Sequence, residues 1–447
     1  MPGAIAAGHP ATADAGALVL AEGGNAVDAC IAAAFVAFVT EGPLAGPTGG
    51  GFVLVHEPGA PTSLLDCFFA VPSQALGAME EVVIDFADAG TQTFHVGDGS
   101  VALPGLVHGL AEAHRRHASR PWADLLERAI ELARTGFVRD EARAFLHGIL
   151  TQILLRTDAG RRIYGDPQRV VTTDLVPTLE RIRDVGAAAV AELLPEFADD
   201  LESYAVIDRR PVDATVLSRS VRTTPTPSRG GTIVVDILEA LETAGAAGPH
   251  DQARAIGQAY GTSARGLLTG TTHVSVVDES GMAVGLSMTL GSGSGVFRGG
   301  SQLNNMLGEL DVIGSEPREP GERLPSMMTP TLVLDGERAR LVLGSAGSVR
   351  LAGAIAQVVW RVVGEGLPVA EAVNAPRMHV DGRELHLEGG WPDDVAAQLE
   401  AAGVWDVVRW SDRNLFFGGV SAVEVRADGS AAAAGDPRRG GHGRVVG

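Results

Sequence analysis

Two threonines in TTHVSVVDESGMAVGLSMT (271–289) have the spacing to do hydroxyl chemistry together. Val274, Val276, Val284, Leu286 and Met288 are apolar, while Thr271, His273, Ser275, Ser287 and Thr289 take the odd positions. This period of two belongs to a sheet with two different faces. A turn near Ser280, supplied by Asp278 and Gly281, closes a hairpin that pairs 277 with 283, 275 with 285, 273 with 287 and 271 with 289. Thr289 then stands opposite Thr271, with Cβ atoms about 4.5–5.5 Å apart. One reading is a cross-strand threonine pair on a polar sheet face. The other is chemical: a cut at Gly270-Thr271 would free an α-amine with a pKa of about 7.7–8.0. That amine, once neutral, can act as general base for its own hydroxyl, so no separate His/Asp pair is needed.

The elements that must hold these residues are legible on both sides. HPATADAGALVLAEGGNAVDACIAAAFVAFVTEG reads as two helices, with Gly23-Gly24 ending the first and Asn25 capping the second. The second is apolar almost all round and is expected to be buried, with Cys30 as plain core. TGGGFVLVHEPGAPTSLLDCFFAVP predicts two strands around a Pro-Gly turn. Residues 104–150, 176–200 and 230–265 read mainly as helix, and Gly136 ends PWADLLERAIELARTGF. SRSVRTTPTPSRGGT (218–232) is expected to be a loop. Strands dominate from 271, followed by a helix at about 349–364. Helices layered around sheets predict an α/β or α+β sandwich.

Composition removes several chemistries. The chain has 447 residues and a formal net charge of −20, with no broad attraction for nucleic acid or anionic lipid. All 35 basic residues are arginine. A Walker A lysine, a lysine Schiff base and a lysine nucleophile are therefore excluded. Two cysteines, Cys30 and Cys67, make neither a disulfide framework nor a four-thiolate metal site. HRRH (114–117) has a ligand-like spacing on a charged helical stretch and reads as solvated; no His-Glu-x-x-His occurs. No serine sits in a Gly-x-Ser-x-Gly elbow. No cofactor or metal is expected. The longest apolar run is too short to span a bilayer and contains Asp28, and MPGAIAAGHP lacks a signal pattern, so a cytoplasmic protein without a membrane partner is expected.

TTHVSVVDESGMAVGLSMTL resembles the start of the small subunit in the γ-glutamyltranspeptidase family. The likeness continues in order through EGGNAVDA, TGGGFVLVHEPG, ALPGLVHGL, LERAIELARTGFVRDEA, DLVPTLERI and SYAVIDRRPV. Downstream it takes in GSGV, LNN, RLPSMMTPTLVL, GSAGSVR and DPRRGG. The resemblance implies a four-layer αββα N-terminal-nucleophile hydrolase fold and a precursor that cuts itself. The cut falls between Gly270 and Thr271, giving regions 1–270 and 271–447 that remain one intertwined unit as partner chains. It also implies Thr271 as nucleophile, Thr289 as the hydroxyl that orients it, and the backbone N–H groups of Gly347 and Ser348 as oxyanion hole. Ser348 stands where the family has a second glycine, and the backbone donor survives that exchange. Read alone, the Gly/Ser stretch before the helix fits a plain helix cap equally well.

The implied substrate site departs from the family pattern. The position matching the carboxylate-gripping arginine is Phe68, which cannot replace a guanidinium fork. Gly291 replaces an asparagine, Met306 a polar residue, and Ser326-Met327 a Ser-Ser pair, while Glu309 retains an acid. Arg298 and Arg323 are candidates to replace the lost arginine, or are surface charges. Three functions follow. The first is acyl transfer from γ-glutamyl amides, the family's usual glutathione-type substrates, to water or an amine. The second is a changed acyl specificity, as in acylases of apolar amides or β-lactam side chains, and several positions changed toward apolar favour it. The third is a non-cleaving scaffold. The segment between Glu242 and Thr271 also reads as short, which bears on the loop before the scissile bond. The acceptor and any homo-oligomer stay open.

Overall fold

A computed structural model describes residues 1–85, 91–245, 248–261 and 270–447. Residues 262–269, immediately before Gly270, lie outside them. Two sheets stack face to face between two layers of helices. The first sheet has seven strands, which run in the order 442–446, 3–7, 271–277, 283–289, 50–56, 63–67 and 207–209. The second has six, in the order 431–435, 419–425, 338–346, 331–335, 219–223 and 212–216. Strands from both sides of Gly270 therefore share each sheet. The architecture is mixed helix and sheet, as expected.

The alternation along 271–289 explains the stacking. Val274, Val276, Val284, Leu286 and Met288 join the core beneath the helix layer of Ala26–Thr40. The odd positions face the second sheet and satisfy one another. His273 bonds Ser287 Oγ at 2.8 Å and Ser275 Oγ at 2.9 Å, and Ser275 Oγ donates to the Ser421 carbonyl across the gap at 3.0 Å. Burial pushes His273 down to about 3, so it stands neutral between the sheets. Along Gly50–His56 the two faces divide likewise, with Phe52 and Leu54 in one core and Val53 and Val55 in the other.

Every residue of helix Ala26–Thr40 is buried. Asn25 accepts the N–H groups of Val27 and Asp28, and Asp28 accepts from Asn25 in return, a capping box. The preceding helix, Pro10–Ala21, ends just before Gly23, at φ 81°. Cys30 is core, as expected.

Two expectations fail. Residues 218–232 are not a loop throughout: Arg219–Thr223 is a strand, pairing Val221 with Val333 and with Ala214, and a helix begins at Gly230. Only Val221 and Thr223 of that strand are buried, and the Pro, Thr and Gly content of 218–232 made the segment read as a loop. The expected helix at 176–200 is broken into Val176–Val185, Val190–Leu193 and short turns, with Gly186 at φ 66° forcing the first break.

Candidate active site

The hairpin has the register that its alternation predicts. Thr271 pairs with Thr289, His273 with Ser287, Ser275 with Gly285 and Val277 with Ala283. Asp278 closes the turn, accepting from the N–H groups of Ser280 at 2.9 Å and Met282 at 3.2 Å. The two threonines thus stand side by side at the open end of the hairpin, 3 % and 4 % exposed. Thr289 Oγ1 donates to the Gly270 carbonyl oxygen and accepts the Gly291 N–H at 2.8 Å. A hydroxyl that accepts one hydrogen bond while donating another is polarised toward the group it donates to. Here that group is the carbonyl preceding Thr271.

A cleft opens beside this pair. Its walls hold Phe68, Gly291, Met306, Glu309, Ser326, Met327 and Ser348 together with Thr271 and Thr289. Sequence positions from 68 to 348 thus converge on one space. Gly347 is next to Ser348 in the chain but is not among the lining residues. Gly347 has φ 135°, and a Cβ built there would stand 2.7 Å from Gly418 Cα. Ser348, at φ 60°, is a non-glycine residue in left-handed backbone, and its buried Oγ has no hydrogen-bond partner among the described residues. Such backbone costs an ordinary residue about 1–2 kcal/mol. A turn of 3-10 helix and then helix Leu351–Val359 follow.

One wall of the cleft is apolar. Phe68 is 2 % exposed, stacked on Phe52 with ring centroids 5.4 Å apart and edge-on to Phe69 at 5.0 Å. Met306, Met327, Met328, Val312 and Leu351 complete the apolar wall. Neither candidate arginine takes the missing role. Arg298 pairs with Glu196 at 2.7 Å on the surface. Arg323 donates to the Phe68 carbonyl at 3.1 Å and lies 4.1 Å over the Tyr204 ring. Neither lines the cleft. Glu309 Oε1 accepts the Ser292 N–H at 2.7 Å, and burial pushes its carboxyl up to about 7.

Three residues near Thr271 escaped the sequence reading. Glu41, one residue beyond the buried helix, accepts from Thr272 Oγ1 at 2.7 Å and Thr12 Oγ1 at 3.2 Å. Arg143 stands 3.5 Å from Glu41, both 1 % exposed. Arg439 lies beside them, lining a second cavity with Thr271. A buried ion pair leaves no local pattern in a sequence. The DPRRGG stretch that carries Arg439 was the available signal. The HRRH stretch is engaged elsewhere: Arg115 and Arg116 pair with Glu112, and His117 with Glu57. No cluster of His, Cys, Asp or Glu among the described residues could hold a metal ion. Nor is any described helix long and apolar enough to cross a membrane.

The model of the γ-glutamyltranspeptidase family matches residues 12–192 and 250–446. The chain belongs to that family. It is an enzyme of the γ-glutamyltransferase type, a hydrolase or transferase. The glutathione hydrolase proenzyme of Escherichia coli K12 is 27 % identical over 536 aligned positions, covering 98 % of this chain and 90 % of the relative. The acylase ACY 1 proenzyme of a Pseudomonas strain (SE83) is 26 % identical, covering 96 % and 90 %. Among solved structures, cephalosporin acylase from Bacillus halodurans superposes with a TM-score of 0.84 at 20 % identity, covering 99 % and 95 %, a likeness of fold.

Proposed function

We propose that this family member is an N-terminal-nucleophile amidohydrolase that cuts its own Gly270-Thr271 bond and acts on amides with an apolar acyl group. The observation that carries the reading is the hydrogen bond from Thr289 to the Gly270 carbonyl. It polarises the one carbonyl that Thr271 Oγ is chemically suited to attack. Attack transfers the Gly270 acyl group from the Thr271 nitrogen to Oγ. Water then hydrolyses that ester, leaving a carboxylate on Gly270 and a free amine on Thr271. In turnover the same amine takes the Oγ proton as Oγ adds to the amide carbon, then passes it to the departing amine. The Gly347 and Ser348 N–H groups serve as oxyanion donors. Water or an acceptor amine releases the acyl group.

The cleft supports an apolar acyl group over γ-glutamyl. A γ-glutamyl carboxylate brought against Phe68 would lose its hydration with no guanidinium in the lining to replace it. Relatives of both kinds exist, named as glutathione hydrolase and as acylase. Denatured intact mass of purified protein tests the first half. Two chains of 270 and 177 residues are expected, the smaller beginning at Thr271. Thr271→Ala is expected to stay whole. A wild-type chain that never splits across pH and time refutes the mechanism. Comparing kcat/KM for hexanoyl and γ-glutamyl anilides tests the second half, and a γ-glutamyl preference refutes the apolar assignment.

A further inference from the structure

Two turns stand side by side at one end of the second sheet. Strand Arg338–Ala346 pairs with strand Gly419–Val425, Ala346 opposite Gly419, so the chain leaves one strand and enters the other at the same place. Residues 347–350 form the first turn, and Leu415–Phe417 with Gly418 forms the second. The two are in close contact: a Cβ on Gly347 would stand 2.7 Å from Gly418 Cα. Both turns border Thr271. Ser348 lines the cleft with it, and Leu415 lines the second cavity with it.

Ser348 holds its left-handed backbone without help from its own side chain, whose buried Oγ has no hydrogen-bond partner among the described residues. Backbone of that kind persists where its surroundings over-determine it. Two buried side chains do so here. Arg350, 4 % exposed, donates from Nε to the Phe416 carbonyl at 2.6 Å and lays its guanidinium over the Phe416 ring, 4.1 Å from the centroid. Trp410 stacks on the same ring at 4.8 Å, and Asn414 Oδ1 accepts the Phe416 N–H at 2.9 Å, so the ring is itself fixed. Burial pushes Arg350 down to about 9, which leaves it charged at neutral pH and attracted to the ring. Tyr260, the last residue of helix Pro249–Tyr260, donates to the Val349 carbonyl at 2.8 Å and accepts the Gly353 N–H at 2.9 Å. The turn is thereby tied both to residues 415–418 and to that helix.

Resting on the proposed nucleophile and oxyanion donors, we infer that Arg350 is a positioning residue for turnover: through Phe416, and together with Tyr260, it fixes the Gly347–Ser348 turn so that its N–H groups meet the oxyanion formed at Thr271. Arg350 lines neither the cleft nor the second cavity, so it acts through the turn alone. A displaced oxyanion donor loses much of its effect, because its hydrogen bond must point at the place where charge develops. Self-cleavage draws on a different support, the Thr289 hydroxyl on the Gly270 carbonyl. The two reactions therefore differ in their dependence on Arg350.

The test uses the full chain and a substrate that makes little demand on the acyl cleft, 4-nitrophenyl acetate. Thr271 Oγ adds to the acetyl carbon, its proton goes to the α-amine, 4-nitrophenolate leaves, and water then frees acetate. Thr271→Ala gives the background rate. Methylboronic acid probes the turn: Oγ adds to boron, and the tetrahedral adduct presents an oxygen where the oxyanion forms. Arg350→Met should self-cleave within about threefold of wild type, read by intact mass. It should acylate about 10- to 100-fold more slowly and bind methylboronic acid more weakly by a similar factor. Misfolding would lower the active fraction but leave the boronate affinity of the remainder unchanged. Arg350→Lys, which keeps the charge but loses the planar fork, should fall between the two. Tyr260→Phe deletes one hydroxyl, should lose about 3- to 10-fold in both quantities, and decides the matter should Arg350→Met not accumulate. Wild-type rates and boronate affinities in the variants overturn the inference. So does a loss of rate without loss of boronate affinity, a self-cleavage slowed as much as acylation, or a wild type that acylates yet fails to bind the boronate. A wild type that stays whole, or splits and acylates no faster than Thr271→Ala, instead overturns the proposed nucleophile, and the inference with it.

Discussion

Glu309 offers a perturbation whose size follows from its surroundings. Its carboxyl is fully enclosed, receives the Ser292 N–H at 2.7 Å and has its pKa raised from 4.5 to about 7 by burial. A group raised in this way holds a proton in the folded chain that the unfolded chain has released. Its contribution to stability is therefore full below about pH 4.5, declines as pH rises to about 7 and is constant beyond. A rise from 4.5 to about 7 corresponds to about 3 kcal/mol. A glutamine side chain at this position would keep an oxygen for the Ser292 N–H but carry no proton to lose. Glu309→Gln, built on Thr271→Ala so that both proteins stay single chains, should gain stability relative to its parent as pH rises. The unfolding entropy of a chain this long is about 0.9 kcal/mol/K, which converts the gain to roughly 3–4 °C in Tm. Differential scanning calorimetry at pH 5 and pH 8.5 reads it as the change in the Tm difference between the two proteins. His9, His147 and His273, each pushed down to about 3 mainly by burial, destabilise the fold as pH falls below about 6.5. They are common to both proteins and cancel. A pH-independent Tm difference, or one of opposite sign, refutes the claim that Glu309 is buried in protonated form near neutrality.

Two further outcomes bear on the nucleophile and its supports. Thr289→Ala removes the donor to the Gly270 carbonyl and should slow self-cleavage by about 100-fold or more, whereas Thr289→Ser should stay within about tenfold, read by intact mass against time. If Thr289→Ala cleaves at the parental rate, the hydrogen bond has no part in the reaction. Ser348→Gly should raise stability by up to about 1 kcal/mol, because relief of left-handed strain exceeds the added backbone freedom. Its self-cleavage rate should stay within about threefold, since the backbone N–H remains. A large loss of rate would assign the Ser348 hydroxyl a role that the backbone alone does not fill.

The parts of this site that were legible in the sequence are those set by local periodicity. Alternation along 271–289 fixed the face and register of both threonines, because a slip by one residue would turn every side chain to the other side. The Asn25 cap and the apolar helix behind it were equally plain. The strand Arg219–Thr223 was hidden because only part of one face is buried and its arginines pair with Asp335 and Asp213 on the neighbouring strands. Glu41, Arg143 and Arg439 were hidden for another reason: they meet only through tertiary packing, and a charged residue in a sequence reads as surface until its partners are known. Arg298 and Arg323 show the converse. As sequence positions they were eligible to replace a lost guanidinium, yet one is tied to Glu196 and the other to the Phe68 carbonyl.

The departures inside the acyl cleft depend on one another through volume. Gly291 stands at φ 69°, in left-handed backbone, where glycine is the residue that fits without strain. A Cβ there would run into Asn305 Oδ1 and come within 3.1 Å of Glu309 Oε1. Those same two oxygens receive the Ser292 N–H, at 2.7 Å each. A larger residue at 291 and a carboxyl at 309 therefore compete for one place, and this chain has resolved the competition in favour of the carboxyl. Phe68 fills the opposite wall by stacking on Phe52, a packing that a guanidinium could join only by burying its charge. Reversing one position alone is thus an incomplete restoration of a polar head-group site. Phe68→Arg would place a cation where the wall is built from Met306, Met327 and Leu351, and Gly291→Asn would displace the one acid that lines the cleft and could answer an ammonium. On the proposed function, specificity in this cleft is held jointly by residues that exclude each other's alternatives.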